Sequence, residues 1–397
     1  MTTPFEDYRL RGGASIQALP KISLHDHLDG GLRPGTIVEL ADEVGIDLPE
    51  SEAGALGRWF TDDTETGSLV EYLKRFDVTT SVMQTESALI RVAREFVGDL
   101  VADGVIYGEV RWAPEQHLQR GLSLDETVEA VQEGIEQGIA DAKTSGHDIR
   151  IGQLISAMRH ADRGLEIAEL AVRHRADGVV GFDIAGAEAG FPASRLRDAF
   201  DHLALNLLPV TVHAGEADGI DSIRGALFDG RALRLGHGVR IAEDIDIDRE
   251  DDENTFVTLG SVAQWVKDRG IALELSPSSN LQTGAFAQWG DEMIDHPFDL
   301  LYQLGFQVTV NTDNRLMSNT SLTRELALLS EAFGYDIRDL EVFQLNAAAA
   351  AFLPVEDRED LADLIGAGFD RAGFDRAGFD RAGFEGGGSD HAESGRA

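Results

Sequence analysis

The sequence predicts an α/β fold, a TIM barrel of eight parallel strands, from three observations. Short apolar runs recur along the chain, and most of them end in a polar or glycine-rich motif. Segments with the 3.6-residue period of amphipathic helices lie between most of these runs. Their alternation over some 300 residues is typical of βα units around a parallel sheet. In a barrel, the polar motifs at the strand ends would share one rim.

Eight apolar runs are the candidate strands, and the helical period is clearest at 123–142 and 164–175. An open doubly wound sheet is the structural alternative, but its G-x-G-x-x-G fingerprint after the first strand is missing. The predicted strands are 22–24, 104–110, 149–155, 179–182, 208–212, 232–235, 271–275 and 306–310.

Two segments interrupt the alternation of strands and helices. Residues 29–100 form a long excursion after the first strand, which we predict to be helical and to include a helix at 68–84. Residues 243–253 (EDIDIDREDDE) read as an acidic loop. One apolar stripe of the helix at 68–84, ordinarily a core face, is formed by Leu69, Tyr72, Leu73 and Phe76.

The end of the chain has low sequence complexity. From about residue 366 the pentapeptide A-G-F-D-R occurs three times, followed by A-G-F-E and G-G-G-S-D. Glycine-rich pentapeptides of this kind bury little apolar surface. We therefore predict one barrel domain at 1–355 and a disordered tail at 356–397.

The chain is strongly acidic, with 71 Asp and Glu residues against 34 Lys and Arg and a formal net charge of −37. Such a surface repels phosphate backbones, so we expect no nucleic-acid partner. Adaptation to high salt and a codon bias towards Asp, Glu and Arg are both open explanations of this charge.

The composition also limits the compartment and the chemistry. The chain has no cysteine, which excludes disulfides, thiolate nucleophiles and cysteine-ligated zinc. No run of about 18 apolar residues and no signal peptide is apparent. We predict a cytoplasmic protein without a membrane segment, and the sequence leaves the oligomeric state open.

A metal site is the strongest chemical prediction from the residues alone. His25 and His27 lie at i and i+2 at the end of the first predicted strand, so their side chains point to the same side. His213 ends the fifth strand and Asp313 ends the eighth. In a barrel these strand ends share one rim, so three imidazoles and a carboxylate could bind one divalent cation and leave a position for water.

A two-metal hydrolase is the rival interpretation of the same histidines. Such sites generally need a bridging group, often a modified lysine late in a strand. None of the four lysines falls at the end of a predicted strand, which favours one metal. The four are Lys21, Lys74, Lys143 and Lys267.

Two further residues have the chemistry of proton transfer. Glu216 follows His213 in V-H-A-G-E, and a partly desolvated carboxyl group there could stay protonated and act as a general acid. His237 lies between two glycines in L-G-H-G-V, which fits a base beside a metal-activated water. A helix N-terminal carboxylate and a core histidine are the structural alternatives.

Taken together, these motifs resemble the adenosine deaminase family in the family's own order between about residues 18 and 353. The resemblance implies a zinc-dependent TIM barrel that hydrolyses adenosine, and by extension 2′-deoxyadenosine, to inosine and ammonia, with one Zn²⁺ per chain. The matching pieces are PKISLHDHLDG (20–30), FDIAGAE (182–188), VHAGE (212–216), LGHGVR (235–240), SPSSNLQTG (276–284) and VNTDN (310–314).

The resemblance also implies a role for each site residue. His25, His27, His213 and Asp313 would bind zinc. Glu216 would protonate purine N1, and His237 would orient and help deprotonate the attacking water, which Asp313 would also contact. Gly186 would donate its N–H to N3, and Asp29 would accept from the ribose 5′-hydroxyl. Further expectations are a hydrophobic gate from the stripe at 68–84 and a rim-supporting ion pair of Glu109 with Arg111.

One position departs from the family pattern. Many members carry a second aspartate after the metal-binding one, whereas this chain has Asn314, whose amide can still donate to purine N7. Deamination of adenine or of a modified adenosine is the alternative within the family. Gly186 and Asp29 favour a nucleoside over adenine, and no basic cluster suits AMP. An inactive purine-binding barrel is the alternative from another class.

Overall fold

A computed structural model of the chain describes residues 8–61, 75–250 and 255–372. Within these ranges each of the eight predicted strands is present, and an additional two-stranded hairpin follows the sixth. The strands, numbered in chain order, are β1 Lys21–His27, β2 Val105–Trp112, β3 Arg150–Met158, β4 Val179–Ala185, β5 Thr211–Ala214, β6 Arg234–His237, β7 Ile245–Glu250, β8 Thr255–Leu259, β9 Ala272–Leu275 and β10 Val308–Val310.

The parallel strands close into a barrel. β1, β2, β3 and β4 pair in that order, and β5, β6, β9 and β10 form a second parallel set. Two isolated parallel bridges join the sets, one between Phe182 and Val210 and one between Asp26 and Asp313. Closure on both sides confirms the TIM barrel and excludes the open sheet.

Helices surround the strands because each buries one apolar face against them. Ser123, for example, begins the helix at Leu124–Thr144 with a capping box in which Glu126 is the reciprocal partner. The helices are α1 Pro34–Val44, α2 Ala53–Thr61, α3 Phe76–Val82, α4 Glu86–Ala102, α5 Leu124–Thr144, α6 Gly164–Arg173, α7 Arg197–Leu205, α8 Ile220–Phe228, α9 Ser261–Asp268, α10 Pro277–Gln282, α11 Phe298–Gln303, α12 Leu322–Phe333, α13 Ile337–Ala350 and α14 Val355–Arg371.

The predicted start of the tail at 356 is wrong. α14 contains the first A-G-F-D-R unit, and its residues Leu361, Ile365 and Phe369 are fully buried. Their spacing of four residues places them on one helix face, so this segment packs onto the barrel. The later repeats, from 373 to 397, lie outside the described residues, and the disordered tail stays a prediction for them.

The two predicted interruptions have different outcomes. Four helices, α1 to α4, follow β1, which confirms a helical excursion as far as it is described. Residues 62–74, and with them Leu69, Tyr72 and Leu73 of the predicted stripe, lie outside the described ranges. The prediction of an acidic loop at 243–253 is wrong in part, because residues 245–250 form a strand that pairs antiparallel with residues 255–259. Alternation of Ile245 and Ile247 with acidic residues fits a strand.

None of the helices in the described ranges is both long enough and apolar enough to cross a membrane.

Candidate metal centre and active site

The carboxyl ends of the barrel strands open into a cavity of about 510 Å³. A volume of this size accommodates a small-molecule ligand. The wall contains all but one of the predicted site residues, namely His27, Asp29, Gly186, His213, Glu216, His237, Asp313 and Asn314. The exception, His25, is fully buried and is not among the residues that line the cavity.

The three predicted histidine ligands converge on the predicted aspartate. Asp313 Oδ1 lies 3.2 Å from His25 Nε2 and 3.3 Å from His27 Nε2. His27 Nε2 is also 3.2 Å from His213 Nε2. His237 completes the group, because one ligand atom each from His25, His213, His237 and Asp313 all lie within 4.8 Å of one another. Residues nearly 300 positions apart thus form one cluster of nitrogen and oxygen donors.

Buried carboxylates orient two of these imidazoles. His25 Nδ1 lies 3.0 Å from Glu274 Oε2, and His213 Nδ1 lies 2.8 Å from Asp183 Oδ2. Because each Nδ1 is held by a carboxylate, each Nε2 is directed into the cluster. This arrangement of carboxylate and imidazole is typical of metal-binding histidines.

Arg111 joins the two carboxylates. Its guanidinium donates to Asp183 Oδ2 (3.1 Å) and to Glu274 Oε2 (2.7 Å). Burial opposes ionisation, but the nearby positive groups, with Arg111 among them, hold the pKa values of Asp183 and Glu274 below their usual values. The predicted ion pair of Arg111 with Glu109 is wrong. Glu109 pairs with Arg234, which also donates to Glu274.

The donor set fits a bound cation. His25 Nε2 is buried and has no hydrogen-bond partner among the described residues. An orphaned buried nitrogen is costly unless something outside the protein chain satisfies it. Imidazole nitrogens and carboxylate oxygens are donors that divalent transition-metal ions accept in proteins. The proximity of His237 to the same atoms suits a group that acts on a ligand of the cation.

A ring of backbone amides fixes the loop that carries Glu216. Glu188 accepts hydrogen bonds from the N–H groups of Gly215, Glu216, Ala217 and Asp218 at 2.7–3.1 Å. This buried carboxylate satisfies four donors at once and so holds the loop in one conformation.

Glu216 itself is buried at the cavity wall. Its Oε1 accepts a hydrogen bond from Thr283 Oγ1 (3.0 Å), and its Oε2 lies 3.6 Å from His237 Nε2. Burial, and after it the negative charges of Asp313 and Glu188, raise the pKa of Glu216 well above its usual value. A raised pKa favours the protonated form of a carboxyl group, which is the form that a general acid needs.

The ring of His237 is held in one orientation by Asn280. Asn280 Oδ1 accepts from Ser276 N (3.2 Å), which leaves its amide group to donate to His237 Nδ1 (3.0 Å). The neutral ring therefore carries its proton on Nε2, the atom that faces the metal cluster. His237 has a positive φ of 64°, and Asp313 has one of 56°. Such backbone strain is concentrated at functional sites.

The predicted substrate-binding residues lie around the same cavity. Asp29 is buried, one of its oxygens has no partner among the described residues, and burial raises its pKa to about 7. Gly186 has a φ of +95°, and an added Cβ would come within 3.1 Å of the Met158 side chain. Asn314 packs against Gly30 so closely that only glycine fits at position 30.

The family model for adenosine deaminase matches residues 20–367. The chain belongs to the adenosine deaminase family. It is 55% identical to adenosine deaminase 1 of Streptomyces coelicolor over 356 residues, which are 89% of this chain and 88% of that protein.

Solved structures of this family share the fold. An Arabidopsis ADAL complexed with IMP matches with a TM-score of 0.75 and 26% identity, covering 90% of this chain and 99% of that one. A Burkholderia ambifaria amidohydrolase with bound Zn matches with a TM-score of 0.75 and 23% identity, covering 90% of this chain and 92% of that one. The second likeness shows the fold alone.

Membership of the adenosine deaminase family confirms the resemblance, the TIM barrel and the predicted reaction class of this chain. The protein is a metal-dependent hydrolase, and its reaction is the deamination of adenosine. Its substrates are small purine molecules.

Four buried polar groups that support the deaminase site were not predicted from the sequence. Asp183 and Glu274 orient imidazoles, Glu188 holds the loop of Glu216, and Asn280 orients His237. A signal was present for the first two, since each is a charged residue inside an apolar strand, where an unpaired charge would be costly. For Asn280 the sequence offered only its place in the SPSSN motif.

Proposed function

We propose that this protein hydrolyses adenosine and 2′-deoxyadenosine to the corresponding inosines and ammonia with a single zinc ion. His25, His27, His213 and Asp313 would hold the ion. The observation that carries this proposal is the convergence of three imidazoles and a carboxylate beside the buried carboxyl group of Glu216. Purine deamination needs a nucleophile on one side of C6 and a proton at N1.

Zinc suits the ligand types. The three neutral imidazole nitrogens favour zinc over calcium or magnesium, which prefer oxygen ligands throughout. When bound, zinc would lower the pKa of a coordinated water towards neutrality. The contacts from Glu274 and Asp183 hold Nδ1 of each ring, so Nε2 of each ring is the nitrogen that would bind the ion.

Glu216 is the proposed general acid. The raised pKa keeps a proton on its carboxyl group, and that proton goes to purine N1 as the nucleophile adds to C6. Protonation at N1 withdraws electrons from C6 and makes it more electrophilic. The hydrogen bonds from the backbone of the Glu216 loop to Glu188 keep the carboxyl group of Glu216 at the cavity wall, so little reorganisation is needed during the reaction.

His237 and Asp313 are the proposed partners of the attacking water. With Nδ1 of His237 accepting from Asn280, Nε2–H points to the cluster and can orient the oxygen that attacks C6. Ser279 Oγ donates to Asp313 Oδ2 at 2.6 Å, so Oδ1 is the oxygen that faces the imidazoles. Asp313 is therefore placed to contact both the ion and the water.

The cavity favours a nucleoside over a nucleotide. Among the described residues that line it there is no lysine or arginine, while Asp29, Asp77 and Glu115 contribute carboxyl groups. A phosphate would meet negative charge without a compensating donor. Asp29, with an unpartnered oxygen, would accept from the 5′-hydroxyl, Gly186 N–H would bind N3, and the Asn314 amide would donate to N7.

A substrate panel tests this proposal. We expect zinc-loaded protein to convert adenosine and 2′-deoxyadenosine at similar rates, measured as the loss of absorbance at 265 nm. It should act on adenine and AMP at least about 100-fold more slowly. The factor corresponds to the roughly 3 kcal/mol of one unpaired buried polar group. Preference for adenine or AMP would contradict the nucleoside assignment. Zinc binding without turnover of any aminopurine would indicate a purine-binding protein instead.

A further inference from the structure

Asp26 lies between two of the proposed metal ligands and faces away from them. Successive side chains of a strand alternate in direction, so His25 and His27 point into the cluster while Asp26 points to the other side of β1. Asp26 is fully buried, and its Oδ2 accepts a hydrogen bond from Arg315 Nε at 2.8 Å. A buried carboxylate in this position requires a cationic partner.

That partner comes from the segment of the fourth ligand. Arg315 is two residues beyond Asp313, in N-T-D-N-R, and its guanidinium also donates to Asp99 Oδ2 of α4 at 3.2 Å. The guanidinium lies over the ring of Phe96, 4.8 Å from its centre. A Cβ at Gly31 would come within 2.5 Å of Arg315 Nη2, so the glycine makes room for the arginine.

Hydrogen bonds hold the Asp313 segment against β1, and two of them come from Leu24 N and His25 N to Asn311 Oδ1. β10 ends at Val310, and beyond it His27 N donates to Asp313 O (2.8 Å) and Asp313 N donates to His25 O (2.9 Å). The strained φ of Asp313 lies within this short stretch. A side-chain tie from Arg315 to Asp26 spans the same two segments on the face opposite to the ligands.

We propose that Arg315 is a positioning residue that sets the spacing between Asp313 and the two histidines of β1 by bridging Asp26 and Asp99. The proposal rests on the proposed function, in which these residues bind the metal. Arg315 touches neither ion nor substrate. It acts by holding β1, the Asp313 segment and α4 in one arrangement, as supporting groups around a metal site do.

Arg315→Gln tests the bridge, and Arg91→Gln is the matched control. Arg91 pairs with Glu95 of α4, the helix that also carries Asp99. Arg91→Gln therefore removes the same charge beside the same helix and leaves the Asp313 segment unchanged. We expect Arg315→Gln to release zinc to a chelator about 10- to 100-fold faster than wild type. Its kcat should fall about tenfold with KM for adenosine changed less, and the visible spectrum of the cobalt-substituted form should shift. Arg91→Gln should match wild type in all three.

Two more variants keep the test decisive. Arg315→Lys retains the charge and should recover part of the zinc retention. Asp26→Asn removes the buried charge at nearly constant volume, should reproduce the faster zinc release, and replaces Arg315→Gln if that variant does not fold. Wild-type zinc release and cobalt spectrum in Arg315→Gln or Asp26→Asn, or equal loss in Arg91→Gln, would overturn the proposal. A wild-type protein that binds no zinc and deaminates nothing would instead overturn the proposed function.

Discussion

The two ends of β1 differ in whether their buried polar groups have complete hydrogen bonds. At the amino end of the strand, Lys21 Nζ donates to the carbonyls of Ile16 (2.9 Å), Leu19 (2.8 Å) and Gln17 (3.2 Å). At the carboxyl end, His25 Nε2 has no hydrogen-bond partner among the described residues, and Asp313 Oδ1 lies 3.2 Å from it. Seven residues thus contain both a fully satisfied cation and an imidazole with an open nitrogen.

The difference separates stability from function. A buried donor whose hydrogen bonds are complete holds the fold, whereas one left open lowers stability unless a ligand binds it. His25 Nε2 and Asp29 Oδ1, two buried atoms without a hydrogen-bond partner among the described residues, both lie at the carboxyl end of β1. TIM barrels carry their active sites at this end of the strands. Variants at the carboxyl end should therefore change metal binding and activity, whereas variants at the amino end should change stability.

His213→Ala removes a proposed ligand at the carboxyl end. We expect loss of stoichiometric zinc and a fall in deamination of roughly 10³-fold or more, because the metal contributes several kcal/mol to the reaction. Metal analysis after dialysis and the initial rate with adenosine measure both. His147→Ala, at an exposed histidine near the other end of the barrel, should keep zinc and rate. Retained stoichiometric zinc in His213→Ala would contradict the assignment.

Glu216→Gln removes the acid and preserves the shape of its side chain. We expect zinc and nucleoside binding to persist while kcat falls about 10²- to 10⁴-fold, the usual contribution of a general acid. Asp218→Asn, in the same loop but exposed, is the control and should keep the wild-type rate. Single-turnover kinetics with adenosine give the chemical step directly, and near-normal turnover in Glu216→Gln would exclude this residue as the acid.

Lys21→Met alters the amino end and should leave the chemistry unchanged. Burial lowers the pKa of Lys21 to about 8 from 10.5, although Asp103 opposes the shift. Above pH 8 the unfolded chain therefore holds more protons on this lysine than the folded chain does, so folding gains stability as the pH rises to 10.5. Between pH 8 and pH 10.5 the free energy of unfolding rises by about 3 kcal/mol, and this increase is lost when the pH is lowered back to 8.

Denaturant unfolding at pH 8 and pH 10.5 measures this effect. The wild type should gain about 3 kcal/mol more than Lys21→Met over this interval, since only the wild type titrates at the position. Lys143→Met, at an exposed lysine, should behave as the wild type does. An equal pH dependence of the unfolding free energy in Lys21→Met and wild type would contradict the proposed role of Lys21 in stability. A lowered kcat for zinc-loaded Lys21→Met would contradict the separation of stability and function between the two ends of β1.

Much of the fold and most of the candidate site could be predicted from the sequence. The eight barrel strands and the convergence of His25, His27, His213 and Asp313 were predicted because apolar runs ending in polar motifs carry a local signal. The errors fall where that signal is ambiguous. The helix at 355–371 was assigned to the tail because its glycines suggested disorder, and the strand at 245–250 was obscured by its acidic residues.

The supporting contacts could not be predicted because they depend on partners distant in sequence. Arg111 was expected to pair with Glu109, two positions away, yet its partners Asp183 and Glu274 lie 72 and 163 residues further on. Side chains two apart on one strand share a face, which made the local pair plausible. Only the order of strands around the barrel brings Asp183 and Glu274 to either side of the same guanidinium.

The sequence by itself determined the barrel, the reaction class and the types of residue at the strand ends, because periodicity and motif order are properties of the chain. The tertiary structure alone decided which nitrogen of each histidine faces the metal cluster, which carboxyl group keeps its proton, and how Arg315 ties the Asp313 segment to β1. Those properties depend on distance, burial and neighbouring charge, which exist only after closure of the barrel brings residues far apart in the chain together.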